Sequence, residues 1–180
     1  MLYQLINLEK YMDMSEEISL DDFSSGSSAI YFLKNPECLK VNYCCPDRAE
    51  SMEGGQKTGK GKDPQRKEPR CDYLLYIPQV NLVKFVELKG IDSKDTDYSC
   101  CSTSWEHGFH QLEATYEAYR SFLDQRDTAH FILCTVLPPS RISDRYKSYT
   151  RYRRLRESAK VSILGADEWD ELPKTTEDSK

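Results

Sequence analysis

The stretch that decides the fold is CDYLLYI-PQVN-LVKFVELK, which runs from Cys71 to Lys89. Its first and last blocks, 71–77 and 82–89, are rich in aromatic and branched side chains, as strands usually are. Proline and asparagine in the block between them, 78–81, favour a turn. The stretch therefore predicts two antiparallel strands joined as a hairpin.

Strand alternation places charged side chains on one face of this hairpin. Glu87 and Lys89 are two residues apart and share a face, while Val86 and Leu88 share the other. Asp72 precedes the turn by as many residues as Glu87 follows it, so the register brings the two opposite each other. Buried charges must be satisfied, and a metal ion with a phosphate would do so. In the alternative interpretation, Asp72 is a turn residue and Glu87 and Lys89 face solvent.

Secondary-structure signals around the hairpin predict one α/β domain. Helical spacing of apolar residues predicts a helix over 105–123, and the apolar run 130–136 predicts a central buried strand. Other expected elements are an amphipathic helix in residues 1–12, strands or a broken helix–strand pair at 29–33 and 39–45, a helix at 144–158 capped by Ser143, and a strand at 160–164. Residues 46–70, rich in glycine and lysine without an apolar anchor, predict a mobile loop. An acidic tail, 167–180, completes the domain.

Composition limits the class of protein. Hydrophobic residues make up 38% and charged residues 31%, which suits a soluble globular domain. No apolar run approaches the roughly 18 residues that a membrane span requires, and no basic segment at the N-terminus indicates a signal peptide. Seven cysteines, with two adjacent pairs, indicate free thiols rather than a disulfide framework. We therefore expect a cytoplasmic protein with no membrane partner.

The order Asp72, Glu87-Leu88-Lys89, helix and apolar strand resembles the PD-(D/E)xK, or restriction-endonuclease-like, superfamily over residues 71–136. The resemblance implies an αβββαβ core whose central mixed sheet is flanked by helices. It also implies that Asp72 and Glu87 bind Mg²⁺ or Mn²⁺ and that the backbone carbonyl of Leu88 adds a ligand. Lys89 would orient or activate the attacking water.

The helix after the hairpin carries a further position of the resemblance. Family members often add a polar residue from this helix, and Gln111 fits that place. The pattern departs from the family at Cys71, where a proline is frequent, and at Thr115, where some recombination-type relatives have a tyrosine. His107 lies one helical turn before Gln111, so it could share the active-site face and assist proton transfer.

The activity implied by the resemblance is that of a metal-dependent nuclease, most simply a DNA endonuclease of a defence (for example antiviral), restriction or repair system. Hydrolysis would leave 5′-phosphate and 3′-hydroxyl ends. One alternative is a non-catalytic subunit of the same fold that binds nucleic acid or assembles with another protein, and a homodimer is a further possibility. An N-terminal carboxylate, Glu9, Glu16 or Glu17, could complete the metal site.

A basic segment offers a place for nucleic acid despite the net charge of −5. Residues 141–160 carry eight bases and only two acids. Basic side chains contact phosphates and tyrosine rings stack on bases. The residues expected to bind nucleic acid are Arg145, Tyr149, Arg151, Arg153 and Arg154. In the alternative interpretation, the segment is an ordinary amphipathic helix whose tyrosines pack on the sheet.

A zinc-stabilised interaction module is the other alternative. Cys100, Cys101, His107 and His110 are close in the sequence. Their spacing suits zinc poorly, because adjacent cysteine side chains diverge and structural zinc sites use two well-spaced pairs.

Overall fold

A six-stranded mixed sheet is the centre of the fold. The computed structural model describes residues 12–21, 29–46, 70–90, 99–137, 139–142 and 144–175, without the side chains of 99–103, 141, 144 and 145. The strands in this part of the chain are β1 (Met12–Asp13), β2 (Glu17–Asp21), β3 (Ile30–Lys34), β4 (Val41–Cys44), β5 (Tyr73–Ile77), β6 (Leu82–Lys89), β7 (Thr128–Thr135), β8 (Lys160–Leu164) and β9 (Trp169–Glu171). The helices are α1 (Ser99–Tyr119) and α2 (Thr150–Ser158). The predicted α/β class is confirmed.

The hairpin predicted from the sequence is present at the centre of the sheet. β5 and β6 are antiparallel, with Tyr73 opposite Val86 and Ile77 opposite Leu82. A 3₁₀ turn over Pro78–Val80 joins them and ends at Asn81, whose φ of 47° lies in the left-handed region that asparagine tolerates. β4 and then β1 continue the antiparallel part of the sheet beyond β5.

The other half of the main sheet is parallel. β7 runs parallel to β6, and β8 runs parallel to β7. Parallel neighbours need a long crossover, and α1 supplies it between β6 and β7. The predicted strands at 130–136 and 160–164 correspond to β7 and β8. The helix expected over 105–123 begins earlier, at Ser99, and gives way to a 3₁₀ turn at Arg120–Phe122.

Different layers cover the two faces of the sheet. On one face, Val83 and Phe85 of β6 share a buried cluster with Phe109 and Leu112 of α1, and α2 joins the same cluster. The opposite face packs against a second sheet, in the order β2-β3-β9. The expectation that helices flank the sheet therefore holds for one face only in the described part of the chain, because strands cover the other.

The helix expected at 144–158 is interrupted. Asp144–Ser148 form a 3₁₀ segment, Tyr149 is extended with φ −69° and ψ 132°, and α2 begins only at Thr150. The expected cap, Ser143, lies outside the described residues. The Tyr149 ring packs edge-on against Phe109 at a centroid distance of 6.3 Å. This tertiary contact outweighs the local helix preference.

The ends of the chain differ from expectation as well. The expected helix in residues 1–12 lies outside the described residues except for Met12, which belongs to β1, and most of the expected loop 46–70 is outside them too. The regions 29–33 and 39–45 form strands. The expected acidic tail contains β9, which pairs in parallel with β3. Among the described residues, no helix has both the length and the hydropathy to cross a bilayer.

Candidate active site

The hairpin brings Asp72 and Glu87 together. Tyr73 faces Val86 in the ladder, and the next position of the same register sets Asp72 against Glu87. The backbone N–H of Leu88 donates a hydrogen bond to Oδ2 of Asp72 at 2.7 Å. The predicted arrangement of these two carboxylates across the hairpin is therefore present, and β6 holds one of them through its own backbone.

Lys89 links the carboxylates to α1. Its Nζ atom forms an ion pair with Glu87 and donates a hydrogen bond to Oε1 of Gln111 at 2.6 Å. The amide Nε2 of Gln111 donates in turn to the backbone carbonyl of Arg70 at 2.9 Å. Glu87, Lys89 and Gln111, which the sequence analysis assigned to one site, thus lie in one hydrogen-bonded group.

Glu87 is buried at an electrostatic cost. Its side chain is 1% exposed, and its Oε2 atom finds no hydrogen-bond partner among the described residues. Burial raises the pKa of Glu87 well above its usual range, and the negative charge of Asp72 raises it further, while Lys89 offsets part of the effect. Buried polar atoms without partners are rare in folded proteins and need an explanation. Carboxylates with raised pKa values concentrate at functional sites.

A glycine allows α1 to approach this group closely. A Cβ atom on Gly108 would lie 2.6 Å from Cδ1 of Leu133, 3.2 Å from Cε of Lys89 and 3.5 Å from Cγ of Glu87. Glycine inside a helix costs about 1 kcal/mol relative to alanine. Here it permits the helix to pack directly over the Glu87–Lys89 pair.

His107 lies beside the site on the exposed side of α1. Its pKa is lowered by partial burial and then by the positive charges of Lys89, His110 and Arg151. The rings of His107 and His110 are 6.4 Å apart between centroids. The accessory role of His107 in proton transfer stays a prediction.

The oxygen atoms of this site fit a hard divalent cation. Carboxylate and carbonyl oxygens are the ligands that Mg²⁺ and Mn²⁺ prefer, and Glu87 offers an unpartnered oxygen next to Asp72. No cluster of three or more His, Cys, Asp or Glu side chains suited to a metal occurs in the described part of the chain. Water and phosphate oxygens would therefore complete the shell with the Leu88 carbonyl, as is usual for Mg²⁺.

Other proposed ligands stand apart from this group. Glu16 and Glu17 are exposed, and Glu17 belongs to β2 in the second sheet, which covers the opposite face. Glu9 and the side chains of Cys100 and Cys101 lie outside the described residues.

The tyrosines of the basic segment pack inward. Tyr152 is buried and contacts Phe109 at 5.5 Å between ring centroids, and Tyr146 contacts Trp105 at 6.1 Å. With Tyr149 also on Phe109, the rings join the core between α1 and the segment. The tyrosines therefore pack inward, as in the alternative interpretation, but their rings contact α1 rather than the sheet, and stacking of bases on Tyr149 would require its ring to leave this contact.

The arginines of the segment differ in their neighbours. Arg151 lies 3.5 Å from a carboxylate oxygen of both Glu106 and Glu113, and Arg154 lies 3.6 Å from Glu113. Arg153 is exposed, and no described acidic side chain pairs with it. The side chain of Arg145 is outside the described residues. The assignment of these arginines to nucleic acid stays a prediction, and Arg153 is the best placed of them.

Comparison with known proteins adds no relative. No family model, curated protein or solved structure matches the chain.

Three structural features were missed from the sequence. Gly108 had a signal, because a glycine within a helical pattern often marks a close approach. Thr115 departs from a family pattern, and its side chain accepts a hydrogen bond from Cys71, the residue before Asp72. Lys84, which alternation places on the face opposite Glu87, is buried against Asp170 of β9, and nothing local in the sequence indicates that pairing.

Proposed function

We propose that this protein is a Mg²⁺- or Mn²⁺-dependent phosphodiesterase of the PD-(D/E)xK type that cleaves nucleic acid, with DNA as the first substrate to test. The observation that carries the proposal is the buried, unpartnered Oε2 of Glu87 beside Asp72, on the strand face that also presents Lys89. A carboxylate kept at such a cost is best explained by a cation that binds it.

The order of elements supports the same proposal. Strands β4, β5 and β6 are followed by α1 and by the parallel strand β7, which agrees with the βββαβ part of the core that the resemblance implies. The helix expected before these strands falls in residues outside the described part. Support also comes from Gln111, the position assigned by resemblance, because it accepts a hydrogen bond from Lys89 and donates one to the backbone carbonyl of Arg70.

Each residue has a physical task in hydrolysis. Asp72, Glu87 and the Leu88 carbonyl would hold the cation, which when bound polarises a phosphoryl oxygen and lowers the pKa of a water molecule. Lys89 would orient that water and stabilise the charge that develops on the phosphate. The water oxygen forms a bond to phosphorus and the P–O3′ bond breaks, while the water loses one proton to solvent and the 3′-oxygen takes one up from solvent and leaves as a hydroxyl. Gln111 would keep Lys89 in place.

A cleavage assay tests the proposal. Plasmid, linear and single-stranded DNA and RNA are incubated with Mg²⁺ or Mn²⁺ and with wild type, Glu87→Gln or Lys89→Met, while Glu117→Gln on the exposed side of α1 is the matched control. We expect cleavage by wild type and the control and a loss of at least about 100-fold in the two site variants. Equal cleavage by all four proteins would refute the site. Metal binding without cleavage of any substrate would favour the non-catalytic subunit.

A further inference from the structure

Thr115 is a buried polar residue that the proposed chemistry does not use. It lies on α1 one turn after Gln111 and is fully buried. Its Oγ1 atom accepts a hydrogen bond from the backbone N–H of Cys71 at 2.8 Å and donates one to the Gln111 carbonyl at 2.7 Å. The hydroxyl is therefore satisfied on both sides, and its outer partner is the residue directly before Asp72.

Gln111 and Thr115 hold two consecutive residues of the chain. Gln111 donates to the carbonyl of Arg70, and Thr115 accepts from the N–H of Cys71. Both contacts precede β5, which begins at Tyr73. Asp72 is thus held on two sides. α1 fixes the backbone before it, and the Leu88 N–H binds its carboxylate.

The residues at positions 71 and 115 depend on each other. A proline at position 71 would have no N–H to donate, so the Thr115 hydroxyl would lose this donor. Cysteine supplies the N–H, and its thiol donates to the carbonyl of Tyr73 at 3.3 Å. The two departures from the family pattern, at Cys71 and Thr115, meet in one hydrogen bond.

We infer that Thr115 is a positioning residue that sets the Asp72 carboxylate for metal binding through the backbone of Cys71. The inference rests on the proposed function, because it assigns Asp72 to a metal ion. Groups that hydrogen-bond a ligating side chain directly typically change metal affinity by about 10- to 100-fold when they are removed, and we expect the lower end of this range because Thr115 acts through the backbone of the residue before Asp72. Packing alone predicts a different result, since valine has nearly the shape of threonine and would leave affinity unchanged.

The test measures Mn²⁺ binding by the electron paramagnetic resonance signal of free Mn²⁺, so that it does not depend on finding the substrate. Thr115→Val should raise the half-saturating Mn²⁺ concentration by about 10-fold or more, and Thr115→Ser, which keeps the hydroxyl, should restore it. Amide hydrogen exchange of Cys71 should become faster in the valine variant only. Tyr31→Phe is the matched control, because it removes a buried hydroxyl beneath the second sheet and should leave Mn²⁺ binding unchanged.

The outcomes separate this inference from the proposed function. Wild-type protein that does not bind Mn²⁺, or binds it equally after Asp72→Asn, overturns the proposed function. If Mn²⁺ binding depends on Asp72 but is unaltered in Thr115→Val, the inference alone is overturned. The same holds if Tyr31→Phe weakens Mn²⁺ binding as much as Thr115→Val does. If the valine variant does not fold, Thr115→Ala is measured in its place. If neither folds, rapid exchange of the Cys71 amide in wild type overturns the inference and protection supports it.

Discussion

The carboxylate of Asp72 is fixed by the backbone of Leu88, whose N–H donates to Oδ2 over 2.7 Å. The bond attaches Asp72 to the point of β6 between Glu87 and Lys89. The carboxylates of Asp72 and Glu87 repel each other. The hydrogen-bonded backbone of the hairpin therefore holds them close together. The arrangement raises the pKa of Glu87 and is preorganised for a cation.

The substitution Asp72→Asn removes the negative charge of this side chain but keeps its hydrogen bond. The oxygen of the new side chain accepts the same bond, so Asp72→Asn should change the free energy of unfolding by no more than about 1 kcal/mol, whereas Asp72→Ala should lower it by about 1–3 kcal/mol. Both variants should lose Mn²⁺ affinity. Urea titration and Mn²⁺ binding provide the two readouts. Tight Mn²⁺ binding by the asparagine variant would contradict the assignment of Asp72 as a ligand.

Gly108→Ala tests the close packing of α1 over Glu87 and Lys89. The new Cβ atom would meet buried Leu133 at 2.6 Å. Overpacking costs about 1–3 kcal/mol and the gain in helix propensity offsets about 1 kcal/mol. We expect a modest net loss of stability and a large loss of cleavage, because Lys89 is displaced. Glu117→Ala, on the exposed side of α1, is the control. A more stable, fully active Gly108→Ala variant would show that the contact is not tight.

The ion pair between Lys84 and Asp170 should make the second sheet sensitive to one substitution. Nζ of Lys84 lies 2.5 Å from Oδ2 of Asp170, with side chains 1% and 11% exposed. Asp170→Asn leaves a buried charge without its counter-ion and should destabilise the protein by about 3–5 kcal/mol. Adding Lys84→Met should recover much of the loss, while Glu171→Gln next to it should have little effect. Urea denaturation measures these variants together with wild type and Lys84→Met alone, and additive effects of the two changes would count against coupling.

The contribution of His130 to stability should fall as the pH drops from 6.5 to 4, against an opposing contribution of Glu87, whose raised pKa favours the folded state as the pH falls toward 4.5. Burial lowers the pKa of His130 to about 4, and Lys84 and Lys160 lower it while Asp170 opposes them. The unfolded chain therefore takes up a proton in this range before the folded protein does, and up to about 3 kcal/mol of stability is lost as the pH falls. His130→Gln should flatten the slope of unfolding free energy against pH, and His110→Gln should preserve it. The pKa of Asp170 is lowered in turn, by Lys84 first and also by Tyr31 and His130, so its contribution to stability is lost only as the pH falls below its ordinary value of 3.8.

Arg153 should contribute more to nucleic-acid binding than Arg151. Arg151 is shared by Glu106 and Glu113, whereas Arg153 has no acidic partner among the described side chains. Each phosphate contact contributes a slope of about 0.9 to the plot of log affinity against log salt on duplex DNA. Arg153→Ala should reduce that slope by about one contact, and Arg151→Ala should reduce it less. Fluorescence anisotropy at several salt concentrations measures the slopes. A larger reduction for Arg151→Ala than for Arg153→Ala would place the nucleic acid on the α1 side.

Local patterns predicted the part of the fold that carries the candidate site. Period-two alternation placed Glu87 and Lys89 on one face, and the turn at 78–81 set the register that brings Asp72 opposite Glu87. Both depend only on neighbours along the chain. The metal, the substrate and the role of each residue remain predictions, because no geometry of a single chain decides them.

The parts that sequence patterns did not predict depend on distant contacts. The break at Tyr149 follows from its packing on Phe109. The strand at Trp169–Glu171 forms by pairing with β3. Its acidic composition does not resemble that of a strand. Alternation places Lys84 of β6 on the same apolar face as Val86 and Leu88, and its counter-ion, Asp170, comes from the other end of the sequence.

The pairing of β9 with β3 has a consequence for how the chain folds. Tyr31 and Asp170 are bonded across 139 positions, so the second sheet closes only after a very long loop has formed. Contacts of such long range slow folding. During synthesis, the central hairpin and α1 can form early. The amine of Lys84 has no counter-ion from Asp170 until Asp170 has left the ribosome. A folding intermediate in which the second sheet does not yet cover the main sheet is therefore the species from which aggregation should begin.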